Sequence, residues 1–147
     1  MAIEDGSDLR LLDLLVTTAE DLCRMVDADA CAISRVLGDV LILIAEYAQG
    51  ETLQLGQGYL VPDYPKTEEV LRLGTTYTTT VDDPGADPAE AGVVRELGFS
   101  ALLMLPLQVG GDAWGLVELY RRAPRPFSAR EVETARGLIA ETAARIP

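Results

Sequence analysis

FSALLMLPLQVGGDAWGLVELY, residues Phe99 to Tyr120, is apolar at nearly every position on both sides of Gly110-Gly111. Two adjacent glycines between apolar runs are a two-residue hairpin signal, so Ala101–Val109 and Trp114–Tyr120 read as paired antiparallel strands. A strand with one wet face alternates apolar and polar residues, and these arms do not. Both faces of this hairpin therefore need cover, and the rest of the chain has to supply it.

Working outward, Ser128-Ala129-Arg130-Glu131 is a capping box flanked by Phe127 and Val132 as a hydrophobic staple. It opens a helix over 129–146 with Val132, Ala135, Leu138, Ile139, Ala143 and Ile146 on one face. Upstream, Asp87 caps and Pro88 starts a helix over 88–97, ended by Gly98. Pro65 opens another over 65–73, ended by Gly74, and TTYTTTV over 75–81 is a β-branched strand. Glu51 to Asp63 reads as a connecting loop.

At the other end, Leu12, Leu15, Val16, Ala19, Leu22, Cys23 and Val26 recur at helical spacing, giving a helix over 8–26 with Ser7 or Asp8 as its cap. ACAISRVL over 30–37 and VLILIAEYA over 40–48, joined by Gly38-Asp39, form a second hairpin. Leu9, Leu11 and Leu14 make an extra apolar stripe on the first helix, which predicts a second contact, most simply the same helix of a homodimer.

The 147 residues are one domain with room for a core, and an apolar content of 48% excludes a disordered chain. A net charge of −12 opposes binding to nucleic acid or to an anionic membrane. Arg121, Arg122, Arg125 and Arg130 cluster, but read as a solvated loop beside the hairpin. No apolar run is long enough to cross a bilayer, and the acidic N-terminus lacks the plan of a signal peptide, so the expected location is the cytoplasm. Cys23 and Cys31 have apolar neighbours and read as small buried side chains. There is no histidine, which removes the commonest general base and metal ligand; no metal site and no catalytic residue is expected.

The order helix, hairpin, short helix, strand, helix, hairpin, helix predicts an α+β fold with a mostly antiparallel sheet. Leu97-Gly98, Ser100, Pro106-Leu107, Gly115-Leu116-Val117 and Pro126-Phe127-Ser128 occur in an order that resembles the C-terminal half of a GAF domain, and the first helix with ADACAISRV fits that family's opening. The resemblance covers nearly all of residues 1–147 as a single domain. It implies a PAS-like central antiparallel sheet of about six strands. The N- and C-terminal helices would lie on one face, with short helices and loops over a small-molecule pocket on the other.

It further implies a non-enzymatic sensory module of a signalling protein, either standing alone or cut from a longer parent with an output domain. The sequence lacks the Asn-Lys-Phe-Asp-Glu set of cyclic-nucleotide-binding members, the pocket-half cysteine of bilin-binding members and the histidine of haem-binding ones. No cofactor is identified on that basis, and bilin and histidine-ligated haem are expected to be disfavoured. The alternatives are a ligand-free dimerisation and relay module, and an enzyme like the free methionine sulfoxide reductases, whose pocket thiols this chain lacks.

Strand alternation puts Leu116, Glu118 and Tyr120 on one face and Val117 and Leu119 on the other. If the latter meet the terminal helices, Glu118 and Tyr120 face the pocket, with Leu102 and Met104 as its floor. Tyr59, Tyr64, Tyr77, Thr79 and Arg95 would orient a ligand from the covering segment. A carboxylate there needs a partner or a polar cavity. Arg35 or Arg95 pairs with Glu118, or Glu118 reaches the rim, or it touches the ligand.

Overall fold

Tight turns at Gly38-Asp39 and Gly110-Gly111, with positive φ at all three glycines, fold the two apolar hairpins back on themselves. The computed structural model describes residues 7–49 and 57–147. In chain order these form α1 (Ser7–Val26), β1 (Ala30–Leu37), β2 (Val40–Ala48), β3 (Gly58–Leu60), a 3₁₀ turn (Val61–Asp63), α2 (Pro65–Leu73), β4 (Tyr77–Thr80), α3 (Pro88–Glu96), β5 (Ala101–Val109), β6 (Asp112–Arg121) and α4 (Ala129–Ala143). The six strands make one sheet in the order β3-β2-β1-β6-β5-β4, every neighbouring pair antiparallel.

Three stretches differ most from the sequence expectation, and β6, α3 and α1 shift their ends by one or two residues. The presumed loop over 51–63 contains β3 and the 3₁₀ turn in its described part, because Gly58–Leu60 extends the sheet along the free edge of β2. Its remaining residues, 51–56, lie outside the described residues, as does the side chain of the proposed Ser7 or Asp8 cap. The last helix stops at Ala143 rather than 146, where the chain tightens and Arg145 N–H donates to the Thr142 carbonyl at 3.0 Å. The 75–81 strand shortens to Tyr77–Thr80, the four residues that pair with β5.

The sheet separates two cores. On one face α1 and α4 cover Cys31, Ile33, Leu103, Leu105, Leu107, Val117 and Leu119. The two helices are joined by a buried contact of 2.9 Å between the Thr18 and Thr142 hydroxyls. Thr18 gives its own proton to the Leu14 carbonyl, at 2.8 Å, so Thr142 is the donor between them. On the other face Val70 of α2 and Val94 of α3 pack with Leu41, Leu43, Leu102, Met104, Leu116 and Tyr120.

Two bulges decide which side chains reach which core. Ile33 pairs with Ala45 but Ser34 with Leu43, so Ile44 is an extra residue in β2. Before it Leu41 and Leu43 face the covering helices; after it Ala45 and Tyr47 face α1. The second bulge makes Trp114 extra in β6. Beside it, Gly115 sits so close to β1 that a Cβ there would lie 2.6 Å from the Ser34 carbonyl oxygen. That neighbour is backbone and cannot rotate away. Gly115→Ala is expected to cost about 1–3 kcal/mol, read as a lower urea midpoint at unchanged slope.

Arg121 is not in a solvated loop. It ends β6, is 1% exposed, and its guanidinium lies 3.8 Å from the centre of the Phe127 ring. Asp27 takes a left-handed turn at φ 54° where α1 ends, which leaves helix carbonyls pointing inward. Arg121 fills that gap, donating to the Val26 carbonyl at 2.6 Å and the Asp27 carbonyl at 3.0 Å.

Candidate functional site

On the face away from the terminal helices, β1 and β6 present Ala32, Ser34, Leu116, Glu118 and Tyr120, because alternate residues of a strand share a face. The bulge in β2 adds Leu41 and Leu43, and β3 adds Tyr59. Tyr64, the residue before α2, and Thr67 within it close one side; Glu90, Val93 and Leu97 of the α3 segment close the other. The cavity they line measures about 40 Å³. That is room for about two or three waters.

The polar groups converge. Tyr120 donates its hydroxyl proton to Glu118 Oε2 at 3.0 Å, and Thr67 donates to Glu90 Oε1. Tyr59 and Tyr64 meet edge to face, ring centres 6.1 Å apart. Across the strands Glu118 faces Ala32 and Met104, neither of which can neutralise it. Burial, reinforced by the nearby Glu90 carboxyl and only partly offset by the Tyr120 hydrogen bond, pushes the Glu118 carboxyl up to about 8. Burial also raises Glu90, with the Thr67 hydrogen bond acting against it. The Tyr59 and Tyr64 phenols are raised by burial and by the surrounding carboxylates.

Of the residues singled out from sequence, Tyr59, Tyr64, Glu118 and Tyr120 come together here. The others do not line the cavity. The Tyr77 hydroxyl accepts the Asp87 N–H at 3.2 Å, Thr79 is buried and bonds the Thr80 carbonyl, and Arg95 donates to the Val81 carbonyl at 2.7 Å. Leu102 and Met104 are fully buried below α2 and α3, with Met104 Sδ 3.4 Å from the Thr67 hydroxyl. Neither proposed partner reaches Glu118. Arg95 is spent on Val81, and Arg35 donates to the Trp114 and Val36 carbonyls, both at 2.8 Å, and stacks on the Trp114 ring.

Sequence reasoning passed over Ser34, Thr67 and Glu90. Glu90 sits three residues after the Asp87 cap, where an acidic residue ordinarily serves the helix end in water. Its one distinguishing sign was the company of Ala91, Val93 and Val94, which turns that side of α3 toward the sheet.

The family model for the GAF domain matches residues 10–146. The chain is a GAF domain. No curated protein matches the sequence. Among solved structures, the blue-light-absorbing form of the PixJ GAF domain from Thermosynechococcus elongatus aligns with a TM-score of 0.83 at 18% identity, over 99% of this chain and 89% of that one. A phycocyanobilin-bound GAF domain from a cyanobacterial phytochrome aligns at 0.79 and 20% identity, over 96% and 88%. A phycoerythrobilin-bound one aligns at 0.80 and 19%, over 92% and 84%. At these identities the likeness carries the fold, a six-stranded antiparallel sheet with four helices.

The comparison corrects one expectation. Bilin was disfavoured because the chain has no histidine and no cysteine in its pocket half, yet GAF domains with bilins bound share its fold over nearly its whole length. Missing residue types do not set this fold apart from bilin-holding ones.

The two thiols of this GAF domain lie in the core under α1 and α4, away from the pocket. Burial, helped by Asp29 and Glu20, pushes Cys23 up to about 12, and burial together with Cys23 and Glu118 likewise raises Cys31 well above the ordinary thiol value. Both stay protonated and unreactive at neutral pH. Among the described residues no helix is long and apolar enough to cross a membrane, and no cluster of acidic or thiol side chains could hold a metal ion.

Proposed function

We propose that this GAF domain is a sensory module of a signal-transduction protein, with no catalysis of its own, that takes a small molecule into the pocket under α2 and α3. The observation that carries the reading is the convergence of Glu118, Tyr120, Tyr59, Tyr64, Glu90 and Thr67 on one cavity in the middle of the sheet. Polar groups gathered in an otherwise apolar recess are how proteins orient small ligands. The protonated, distant thiols support a binding role over thiol redox chemistry. Because the cavity is small, a ligand of any size enters by displacing the α2–α3 cover. A bilin belongs among the candidates, since solved relatives hold one; here it would sit without a thioether to Cys23 or Cys31.

The reading extends to a cytoplasmic homodimer joined through the terminal helices and coupled to an output domain. Leu9 and Val16, seven residues apart on one face of α1, are 54% and 42% exposed, which supports a helix partner there. Leu11 and Leu14 are half-buried against the chain's own core, so they contribute less than the sequence stripe suggested. Sedimentation over a concentration series is expected to show self-association that Leu9→Glu/Val16→Glu removes.

The ligand reading is tested by native mass spectrometry and absorption spectroscopy of the protein, both as purified and after co-production with bilin-synthesis enzymes. A retained mass lost in Ala32→Leu, which fills the cavity, is expected. No retained molecule under either condition would sink it.

A further inference from the structure

We propose that the pocket is built for the head group of a small organic cation, an ammonium or guanidinium, held between the Glu118 carboxyl and the rings of Tyr59 and Tyr64. This rests on the reading of the cavity as a ligand site and names the chemistry of its occupant.

The charge census is one-sided. Glu118 and Glu90 line the cavity, and among the described residues no lysine or arginine does. The undescribed stretch 50–56, GETLQLG, contains no cationic residue, and the chain has no histidine. The cations on the surrounding elements are engaged elsewhere: Lys66 with Glu69 at 3.2 Å, Arg72 with Glu68 at 3.3 Å, Arg35 with Trp114, and Arg95 with Val81. An anion entering here would find no cationic side chain to balance its charge.

The acceptors suit a donor-rich guest. Tyr120 engages Glu118 Oε2, the hydrogen bond shown leaves the other carboxyl oxygen as a second acceptor, and the edge-to-face pair of Tyr59 and Tyr64 lines the same cavity with aromatic surface. A carboxylate next to aromatic faces is the combination that binds organic cations, through charge-assisted hydrogen bonds and attraction to the ring quadrupole. Without displacing its cover the cavity admits a head of a few heavy atoms, the size of an alkylammonium or guanidinium group.

The groups facing Glu118 are Glu90 from α3, Tyr59 from β3, Tyr64 at the start of α2, Tyr120 from β6 and, on the far side of β1, Cys31. None is a cation, so the empty site holds its proton to about pH 8 and a cation must displace it. Binding therefore releases a proton and tightens as pH rises toward that value, by up to about tenfold per unit.

The test is a titration of ¹⁵N-labelled protein with methylammonium and guanidinium chlorides, both charged from about pH 6 to about pH 9, against sodium acetate and acetamide at matched ionic strength. The cations are expected to shift amides around Tyr59, Tyr64, Glu90 and Glu118, and to bind more tightly at the higher pH. Glu118→Gln is expected to weaken them at least about tenfold, Tyr59→Leu to weaken them, and Tyr59→Phe to retain them. Acetate or acetamide binding here more tightly than the cations would overturn the charge class while leaving a ligand pocket in place. Cation binding unchanged in Glu118→Gln would do the same. If no probe moves these amides the cation proposal falls, and the pocket reading falls with it only if native mass spectrometry also finds nothing retained.

Discussion

Arg121→Met is expected to destabilise the domain by about 3–5 kcal/mol, because it strips the shared donor from several acceptors gathered around a guanidinium that is 1% exposed. Besides the Val26 and Asp27 carbonyls, the guanidinium donates to the Arg125 carbonyl at 3.2 Å, the Pro126 carbonyl at 3.0 Å and Glu131 Oε2 at 2.5 Å. It thus ties the end of α1, the end of β6 and the start of α4 at one point. Methionine matches the stem and the contact with Phe127 but leaves the carbonyls without their donors, and each buried orphan costs about 1–3 kcal/mol. Arg121→Lys should recover little, because a compact ammonium cannot span acceptors arranged around a planar fork.

Glu131 gives this prediction a pH signature. Burial acts to raise its carboxyl, but the Ser128 N–H and Arg121 outweigh that and hold it below the ordinary range. A depressed folded-state value contributes stability above the unfolded value of 4.5, lost as pH falls through the folded one. Urea denaturation at acid and neutral pH should show that acid-side loss reduced in Arg121→Met, since Ser128 then holds Glu131 without Arg121. A variant within about 1 kcal/mol of the wild type would refute the keystone role.

The two-sided hairpin from Ala101 to Tyr120, the capping box at Ser128 and the glycine turns were legible because each is a local pattern. What escaped depended on register. Alternation read along β2 puts Leu41, Leu43 and Ala45 on one face, and only the bulge at Ile44, fixed by pairing with β1, sends the two leucines to the pocket. Arg121 looked like one more surface arginine because nothing local announces that a neighbouring helix ends with its carbonyls turned inward. The pocket was half legible for a related reason. Glu118 and Tyr120 follow from the parity of β6, whereas Thr67 and Glu90 depend on how α2 and α3 rotate over the sheet. The short spans of those two helices do not determine that rotation.

Glu118 carries the other large effect, of opposite sign. Its folded-state carboxyl stands near 8 against an unfolded value of 4.5, so the native state holds a proton that the unfolded chain gives up between those values. Wild-type stability attributable to this group is therefore fully present below about pH 4.5 and declines as pH rises to about 8. At about 1.4 kcal/mol per pH unit the whole loss is on the order of 4–5 kcal/mol. Glu118→Gln keeps the shape and has no proton to lose. The variant should match the wild type near pH 4.5 and exceed it by several kcal/mol near pH 8, read as the difference between the two urea-denaturation profiles. The difference cancels slopes from other carboxylates, and Glu90→Gln in the same background identifies the part due to Glu90. Parallel profiles would show that the carboxyl is ionised at no cost, as in a solvated site. If the variant gains stability while losing cation binding, the reason for a carboxylate here follows: the empty fold is weakened at neutral pH by a group whose compensating charge arrives with the ligand.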